Sequence, residues 1–237
     1  MNDVLLSVRK CLVEQSDEGV GKSAQQFFKE TIKSYGVTMP KVHKIAQTSF
    51  RKINTLPKKE IFNLCTLLWQ SGYQEEAIVA CHWSYFVRKQ YEPEDFAVFR
   101  FWIEQYISNW ASCDTLCNHT LGAFLEMFPA SIGELKSFAM STNRWMKRAS
   151  SVSLIIPARK GLFLHEIFEI AEILLTDKDD LVQKGYGWML KAASEADQQA
   201  VFEFVLKNKI LMPRTALRYS IEKMPSEMRK EAMARKS

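Results

Sequence analysis

Four small residues recur at a constant spacing of 36 positions, and each lies in a stretch whose apolar residues have helical spacing. These residues are Ala77, Cys113, Ala149 and Gly185. A period of this length, with two helices per unit, is typical of a helical solenoid in which small side chains let adjacent helices pack closely. Arg214-Thr215-Ala216 would then be a shortened last copy. The pattern predicts stacked helical repeats.

The residue before each small one is polar, as expected if stacked repeats present equivalent positions along one face. These residues are Glu76, Ser112, Arg148 and Lys184. The groove that they would line is predicted to change in chemical character along its length. The alternative is a chance alignment, because the chain is rich in Ala, Ser and Cys.

Glycine and proline are scarce, with nine and seven residues in 237, and apolar residues follow three-four spacing nearly throughout. The predicted class is therefore all-α, with about a dozen helices between the punctuating residues. The expected breaks lie near Gly36, Pro40, Pro57, Gly72, Pro93, Pro129, Pro157, Asp177 and Pro213. A single domain spanning residues 1–237 is the simplest organisation for a chain of this length.

The charge balance is modestly basic, since 32 Lys and Arg stand against 27 Asp and Glu, a net charge of +5. Gathered on one face, this excess would suit an anionic partner. The N-terminus has no apolar segment long enough for a signal peptide, and no window nearby approaches the ~20 apolar residues of a membrane span. We therefore expect a cytosolic protein without a membrane partner.

Five cysteines without a Cys-x-x-Cys pair favour reduced, mostly buried thiols over a disulfide framework. They lie at positions 11, 65, 81, 113 and 117. Four scattered histidines without a His-Glu-x-x-His spacing give little support to a metal site. We expect neither a metal nor a cofactor.

Four residues in or beside the repeat stretches are candidates for chemistry, and in a solenoid they would converge on one concave surface. They are Trp110, Asp114, Arg148 and Trp188. A carboxylate flanked by two indoles and a guanidinium suits a flat, cationic ligand. Each residue also has a structural explanation: the aspartate as a helix cap, the tryptophans as core residues and the arginine as part of a solvated face. Their common repeat phase favours function.

The order and spacing of several motifs resemble the bacterial AlkD-like DNA alkylation-repair glycosylases over almost the whole chain. The motifs are Gly36-Val37-x-x-Pro40, Trp110-Ala111-Ser112-Cys113-Asp114 leading to Leu121-Gly122, Asn143-x-Trp145-x-x-Arg148-Ala149, and Gln183-Lys184-x-x-Gly187-Trp188. The resemblance implies an all-α, HEAT-like helical-repeat solenoid with a concave DNA-binding face. It also implies an enzyme that keeps the lesion stacked in the duplex, without deep base flipping.

The resemblance further implies roles for individual residues. Asp114 matches the catalytic aspartate of the family, Trp110 and Trp188 match its aromatic cleft walls, and Arg148 matches an arginine that contacts a phosphate.

The chain departs from the family pattern at two positions. Ala111 follows the first tryptophan where an acidic residue is common, and Phe27 stands where a tyrosine is usual. Both changes leave the Asp114 carboxylate in place, but they affect the expected substrate range and the expected affinity for DNA.

The chemistry of such an enzyme has its own physical logic. Alkylation at N3 or N7 gives a purine a positive charge and makes it a neutral leaving group, so no general acid is needed. Positive charge then grows on the deoxyribose, where the Asp114 carboxylate can stabilise it and orient the attacking water. The indoles would favour a cationic lesion by ~1–2 kcal/mol once it is desolvated. No lysine sits beside Asp114 to form a Schiff base, so a monofunctional DNA glycosylase for alkylated purines is predicted.

Phosphate contacts would hold the duplex with salt-sensitive, largely sequence-independent affinity. The candidate DNA-binding residues are Arg148, Lys147, Lys184, Lys191, Arg214, Arg218 and Phe27. The expected partner is duplex DNA carrying alkylated purines, in the bacterial cytosol and associated with the nucleoid. We expect a monomer with no obligate protein partner.

Two other hypotheses are compatible with the sequence. HEAT-like stacks often serve as non-catalytic docking surfaces for protein or nucleic acid, although a docking surface has no need of a carboxylate between two indoles. Alternatively, a related DNA-binding protein would recognise a different adduct or branched structures, which Ala111 and Phe27 leave open.

Overall fold

The computed structural model describes residues 2–234, and its regular elements are helices apart from one isolated parallel bridge between Lys33 and Tyr73. The all-α prediction is confirmed. None of the helices in this range is long and apolar enough to cross a membrane. The α-helices are α1 Asn2–Glu14, α2 Glu18–Gln25, α3 Met39–Phe50, α4 Lys58–Gln70, α5 Gln74–Phe86, α6 Asp95–Gln105, α7 Trp110–Thr115, α8 Gly122–Met127, α9 Gly133–Ala139, α10 Arg144–Val152, α11 Ile155–Arg159, α12 Leu164–Ile173, α13 Asp180–Ala193, α14 Gln198–Asn208, α15 Arg214–Ser220 and α16 Ser226–Met233.

The described residues thus contain more helices than the dozen or so predicted, because several helices have only five to seven residues. The predicted breaks otherwise agree with the observed ends, as at Pro57, which precedes α4, and at Pro213, which precedes α15. Pro40 and Pro157 are the exceptions, since they lie inside the first turns of α3 and α11. Proline is accepted there because the first backbone N–H groups of a helix have no partner within the helix.

The chain divides into two compact units, Met1–Leu116 and Cys117–Ser237. The core of the first unit includes the fully buried side chains of Trp83, Phe99 and Trp102, and the core of the second includes Phe138 and Tyr186. The boundary falls at the π-helical segment Leu116–Leu121. The assignment of residues 1–237 to a single domain stays a prediction.

Contacts between residues about one repeat apart recur in both units. In the first unit, Trp102 Nε1 donates to Thr66 Oγ1 at 2.9 Å across 36 positions, and Asn109 donates to Gln74 across 35. In the second unit, Lys160 pairs with Glu126 across 34 positions. Such a constant offset is expected where each helix packs on its equivalent in the next repeat. The structure is therefore consistent with an all-helical repeat fold.

The four small residues of the 36-residue pattern each lie in a helix, namely α5, α7, α10 and α13, and all four are buried. At Gly185 the reason is visible, because a Cβ there would lie 2.8 Å from Ser151 Oγ on α10. The small residue lets α10 and α13 approach closely, as the sequence predicted.

The polar residues that precede the small ones do not line an open groove. Glu76, Ser112 and Arg148 are buried, and only Lys184 is partly exposed. Glu76 and Arg148 form hydrogen bonds to other segments, and Ser112 forms them within the cap of its own helix, so these buried polar residues have partners. The predicted groove is therefore wrong for these positions.

Candidate functional site

Helix α7 carries two of the predicted site residues, Trp110 and Asp114. The carboxamide of Asn109 caps this helix by accepting from the Ser112 N–H at 3.0 Å, and Asn109 itself is tied to Gln74 at 2.7 Å. Asp114 lies inside the helix, so the alternative in which it caps a helix is wrong. Residues four apart share one face of a helix. Trp110 and Asp114 therefore share a face, and both are half-buried.

The helical geometry changes at the end of α7. Asp114 and Thr115 are followed by the π-helical segment Leu116–Leu121. Short π-helical insertions are rare in α-helices and occur often at functional sites. This feature was not visible in the sequence, because no local residue pattern marks it.

The indole of Trp110 contacts the turn that follows α2. Its Nε1 donates to the Phe27 carbonyl at 3.2 Å, and its ring stacks on Phe28 with centroids 5.3 Å apart and planes 18° apart. The Phe27 side chain points away from the core, and the residue is 74% exposed. The structure thus brings Phe27, a predicted DNA-binding residue, to Trp110.

A cavity of about 620 Å³ lies beside Trp110 within the first unit. Helix α2, the 34–39 segment and the start of α5 form its walls. Most of the side chains that line it are apolar, including Val20, Ala24, Phe28, Ile32, Val37 and Met39. The candidate aromatic wall at Trp110 therefore borders a preformed apolar space.

Two adjacent buried carboxylates, Glu75 and Glu76, lie at the start of α5, and the sequence did not predict their burial. Each residue is 1% exposed. Glu76 pairs with Arg9 at 3.0 Å and accepts from the Tyr35 hydroxyl at 2.8 Å. Burial and this hydrogen bond raise the pKa of Tyr35 above its usual value. Acidic residues in the first turn of a helix are usually solvent-exposed. The donors to Glu76 lie 41 and 67 positions away, so no local signal marked its burial.

In the second unit, Arg148 and Trp188 lie on the neighbouring helices α10 and α13. Arg148 is only 5% exposed, and its guanidinium donates a hydrogen bond to the Leu181 carbonyl at the start of α13. Trp188 is half-buried on α13. Arg148 therefore joins the two helices and shows little of its surface to solvent.

Three of the predicted DNA-binding lysines are engaged in ion pairs. Lys147 contacts Asp177 at 2.6 Å, Lys184 contacts Asp180 at 2.8 Å, and Lys191 contacts Glu222 at 2.9 Å. By contrast, Arg214 and Arg218 on α15 are exposed. None of the three ion pairs just described involves either arginine, so none of them has to break before Arg214 or Arg218 binds an anion.

The starts of α10 and α13 are tied together by the carboxylate of Asp179. Asp179 caps α13 by accepting from the Leu181 N–H at 2.9 Å, and it pairs with Arg144 at 2.8 Å. Partial burial acts to raise the pKa of Asp179, but the hydrogen bonds from Arg144 and the helix start outweigh it, so the pKa is lowered. Asp179 is therefore held in its charged form.

The predicted site residues are divided between the two units. Trp110, Asp114 and Phe27 lie in the first, and Arg148 and Trp188 lie in the second with the candidate lysines and arginines. Convergence of the four residues on one concave surface stays a prediction. Within residues 2–234, no three His, Cys, Asp or Glu side chains are grouped as metal ligands would be.

Comparisons with known proteins give one consistent result. The model of the DNA alkylation repair enzyme family matches residues 8–224. A solved structure described as a predicted DNA alkylation repair enzyme from Enterococcus faecalis is similar in fold, with a TM-score of 0.80, 16% identity, and coverage of 90% of this chain and 98% of that one. None of the curated proteins matches the sequence significantly.

Proposed function

Because this chain belongs to the DNA alkylation repair enzyme family, we propose that it is a monofunctional DNA glycosylase that hydrolyses the N-glycosidic bond of cationic N3- or N7-alkylated purines in duplex DNA. Family membership makes the protein an enzyme of DNA repair. The observation that carries the finer proposal is the placement of Trp110 and Asp114 on one face of α7, with Trp110 lining an apolar cavity. A half-buried carboxylate next to an indole suits a cationic centre.

In the proposed reaction the bond between C1′ and the purine nitrogen breaks, and its electron pair leaves with the base. The alkylated base departs neutral, so it needs no proton from the enzyme. The Asp114 carboxylate stabilises the positive charge on the deoxyribose and accepts a proton from the water whose oxygen bonds to C1′. The α7 segment contains no lysine, so the proposal includes no Schiff base.

Trp110 and Trp188 act as aromatic walls in this proposal, where an indole face stabilises a desolvated cation. Arg148 contributes mainly by holding α10 against α13, since the residue is 5% exposed and its guanidinium donates to Leu181, and it is also assigned a phosphate contact. The other phosphate contacts are assigned to Lys147, Lys184, Lys191, Arg214 and Arg218, and Phe27 is assigned to the DNA surface near Trp110.

The decisive experiment measures release of 7-methylguanine from alkylated duplex DNA under single-turnover conditions. We expect Asp114→Asn to slow release by about tenfold or more, which corresponds to ~1.4 kcal/mol of transition-state stabilisation. Glu94→Gln, the same chemical change at an exposed carboxylate of the first unit, serves as the matched control and should keep the parent rate.

The result also separates the proposal from its alternatives. A parent protein that binds duplex DNA tightly but releases no base would overturn the glycosylase and leave a DNA-binding module. Equal rates for the parent and Asp114→Asn would remove the carboxylate from the mechanism.

A further inference from the structure

The side chain of Trp110 takes its orientation from a segment outside its own helix. As the first residue of α7, Trp110 has its backbone fixed by the Asn109 cap. Its indole N–H is occupied by the Phe27 carbonyl, and Phe28 covers one ring face. The polar edge and one face of the indole are thus both occupied by a turn 83 positions earlier in the chain.

One side chain closes that turn. The Gln25 carboxamide uses both of its ends, because Nε2 donates to the Glu30 carbonyl at 2.9 Å and Oε1 accepts from the Ile32 N–H at 3.0 Å. These two hydrogen bonds tie the end of the turn, at Glu30 and Ile32, to its start at Gln25. A buried or half-buried backbone group without such a partner would destabilise the turn.

The chain after the turn is anchored a second time by Glu75. Its carboxylate accepts from Ser34 Oγ at 2.6 Å and from the backbone N–H groups of Tyr35, Gly36 and Val37 at 2.9–3.1 Å. Glu75 is on α5, which contacts α7. The turn that touches Trp110 is consequently fixed by Gln25 from within and by Glu75 just beyond its end.

We propose that the segment Gln25–Ile32 is a positioning element for Trp110, and that Phe28 sets the plane of the indole so that the opposite face meets the alkylated nucleotide. This inference rests on the proposed function, which gives Trp110 its contact with the lesion. Because the Phe27 carbonyl already occupies the indole N–H, Trp110 selects its ligand by the charge at the ring face and not by a hydrogen bond. Phe28 acts only through Trp110.

The adjacent phenylalanines allow the two contacts to be separated. Phe27 offers the indole N–H its backbone carbonyl, which substitutions other than proline keep in a similar place, whereas Phe28 offers its ring. Phe28→Leu removes the stacked ring and keeps an apolar side chain, while Phe28→Tyr keeps the ring. Phe101→Leu, at an exposed phenylalanine of α6, is the matched control.

The test combines a spectroscopic and a kinetic readout on the full chain. The indole N–H resonance of Trp110 is identified by its loss in Trp110→Phe. We expect Phe28→Leu to shift that resonance and to slow single-turnover release of 7-methylguanine by about ten- to hundredfold, because misplacing a reacting-site group by about 1 Å costs that much. Affinity for undamaged duplex should stay close to that of the parent. Phe28→Tyr should restore both readouts, and Phe27→Ala should leave the resonance in place.

Three results would contradict the positioning role. An unshifted Trp110 resonance in Phe28→Leu would overturn it, as would an unchanged rate of base release. A loss in Phe28→Tyr equal to that in Phe28→Leu would show that the stacked ring is not what matters. If the parent releases no base, the proposed function fails, and the resonance alone then decides whether Phe28 orients Trp110.

Discussion

At the scale of single residues, Glu75 shows how much of the candidate site depends on one buried carboxylate. Four donors surround its two oxygens, three of them backbone N–H groups of consecutive residues. Hydrogen bonds to a charged acceptor are stronger than neutral ones, and they offset the cost of burying the charge. Glu75 therefore stabilises the 34–37 segment and, through it, one wall of the cavity beside Trp110.

We expect Glu75→Ala to lower the free energy of unfolding by about 3 kcal/mol or more, because several buried donors lose their acceptor at ~1–3 kcal/mol each. Glu75→Gln should lie between the parent and Glu75→Ala, since one end of its amide is itself a donor facing donors. Urea unfolding followed by circular dichroism measures both.

The control for this prediction is Glu14→Ala, at an exposed carboxylate on α1 whose ion pair with Lys10 is 3.8 Å long. Its effect should stay within about 0.5 kcal/mol. A Glu75→Ala variant as stable as this control would show that the 34–37 segment does not depend on the carboxylate.

At the scale of elements, α13 is packed between two neighbours in the second unit, and two glycines permit the contact. A Cβ at Gly185 would lie 2.8 Å from Ser151 Oγ on α10, whereas a Cβ at Gly187 would lie 2.7 Å from Tyr219 Cβ and 2.9 Å from the Ala216 carbonyl oxygen on α15. At Gly185 the added Cβ would meet the end of a small side chain. At Gly187 it would meet backbone as well, and the backbone of α15 cannot move unless the whole helix moves.

We expect Gly187→Ala to destabilise the protein by about 1–3 kcal/mol, because overpacking outweighs the ~1 kcal/mol that alanine gains over glycine in a helix. Gly185→Ala should cost less, since the Ser151 side chain can rotate. Gly133→Ala is the matched control, because a Cβ there meets nothing within 4 Å.

The midpoint of urea unfolding gives the order of these three variants. The expected order of stability places Gly133→Ala at or above the parent, followed by Gly185→Ala and then Gly187→Ala. If Gly187→Ala were as stable as Gly133→Ala, the close approach of α13 and α15 would not be required by the fold.

At the scale of the whole molecule, the net charge of +5 says little until the ion pairs are considered. Many lysines and arginines join helices of the same unit, as Lys58 joins α4 to Asp95 at 2.7 Å and Lys147 contacts Asp177. Cations in such pairs must exchange one anion for another when they bind DNA. Arg214 and Arg218 are the exposed candidates on α15, and they should account for more of the salt dependence.

We expect Arg214→Ala and Arg218→Ala each to reduce the slope of log affinity against log salt concentration by about 1, the value for one lost phosphate contact. The measurement is a titration of undamaged duplex at several salt concentrations. Lys10→Ala, which removes an exposed cation from α1, should leave the slope unchanged. An unchanged slope in both arginine variants would remove α15 from the DNA interface.

The sequence by itself determined the helical class and most of the helix ends. These properties depend on residues within one or two helical turns, where the period of 3.6 and the chemistry of Gly, Pro and caps act directly. The 36-residue spacing likewise predicted four buried, helical positions, because a small residue is required wherever a repeated helix packs closely.

Only the tertiary structure decided the surroundings of those residues. Three features depend on contacts between positions about 30 to 80 apart in the chain. They are the burial of Glu76 and Arg148, the stacking of Phe28 on Trp110, and the hydrogen bonds from the 34–37 segment to Glu75. Such contacts depend on how whole helices pack, and a polar residue in a helix has the same local pattern whether it faces solvent or a buried partner.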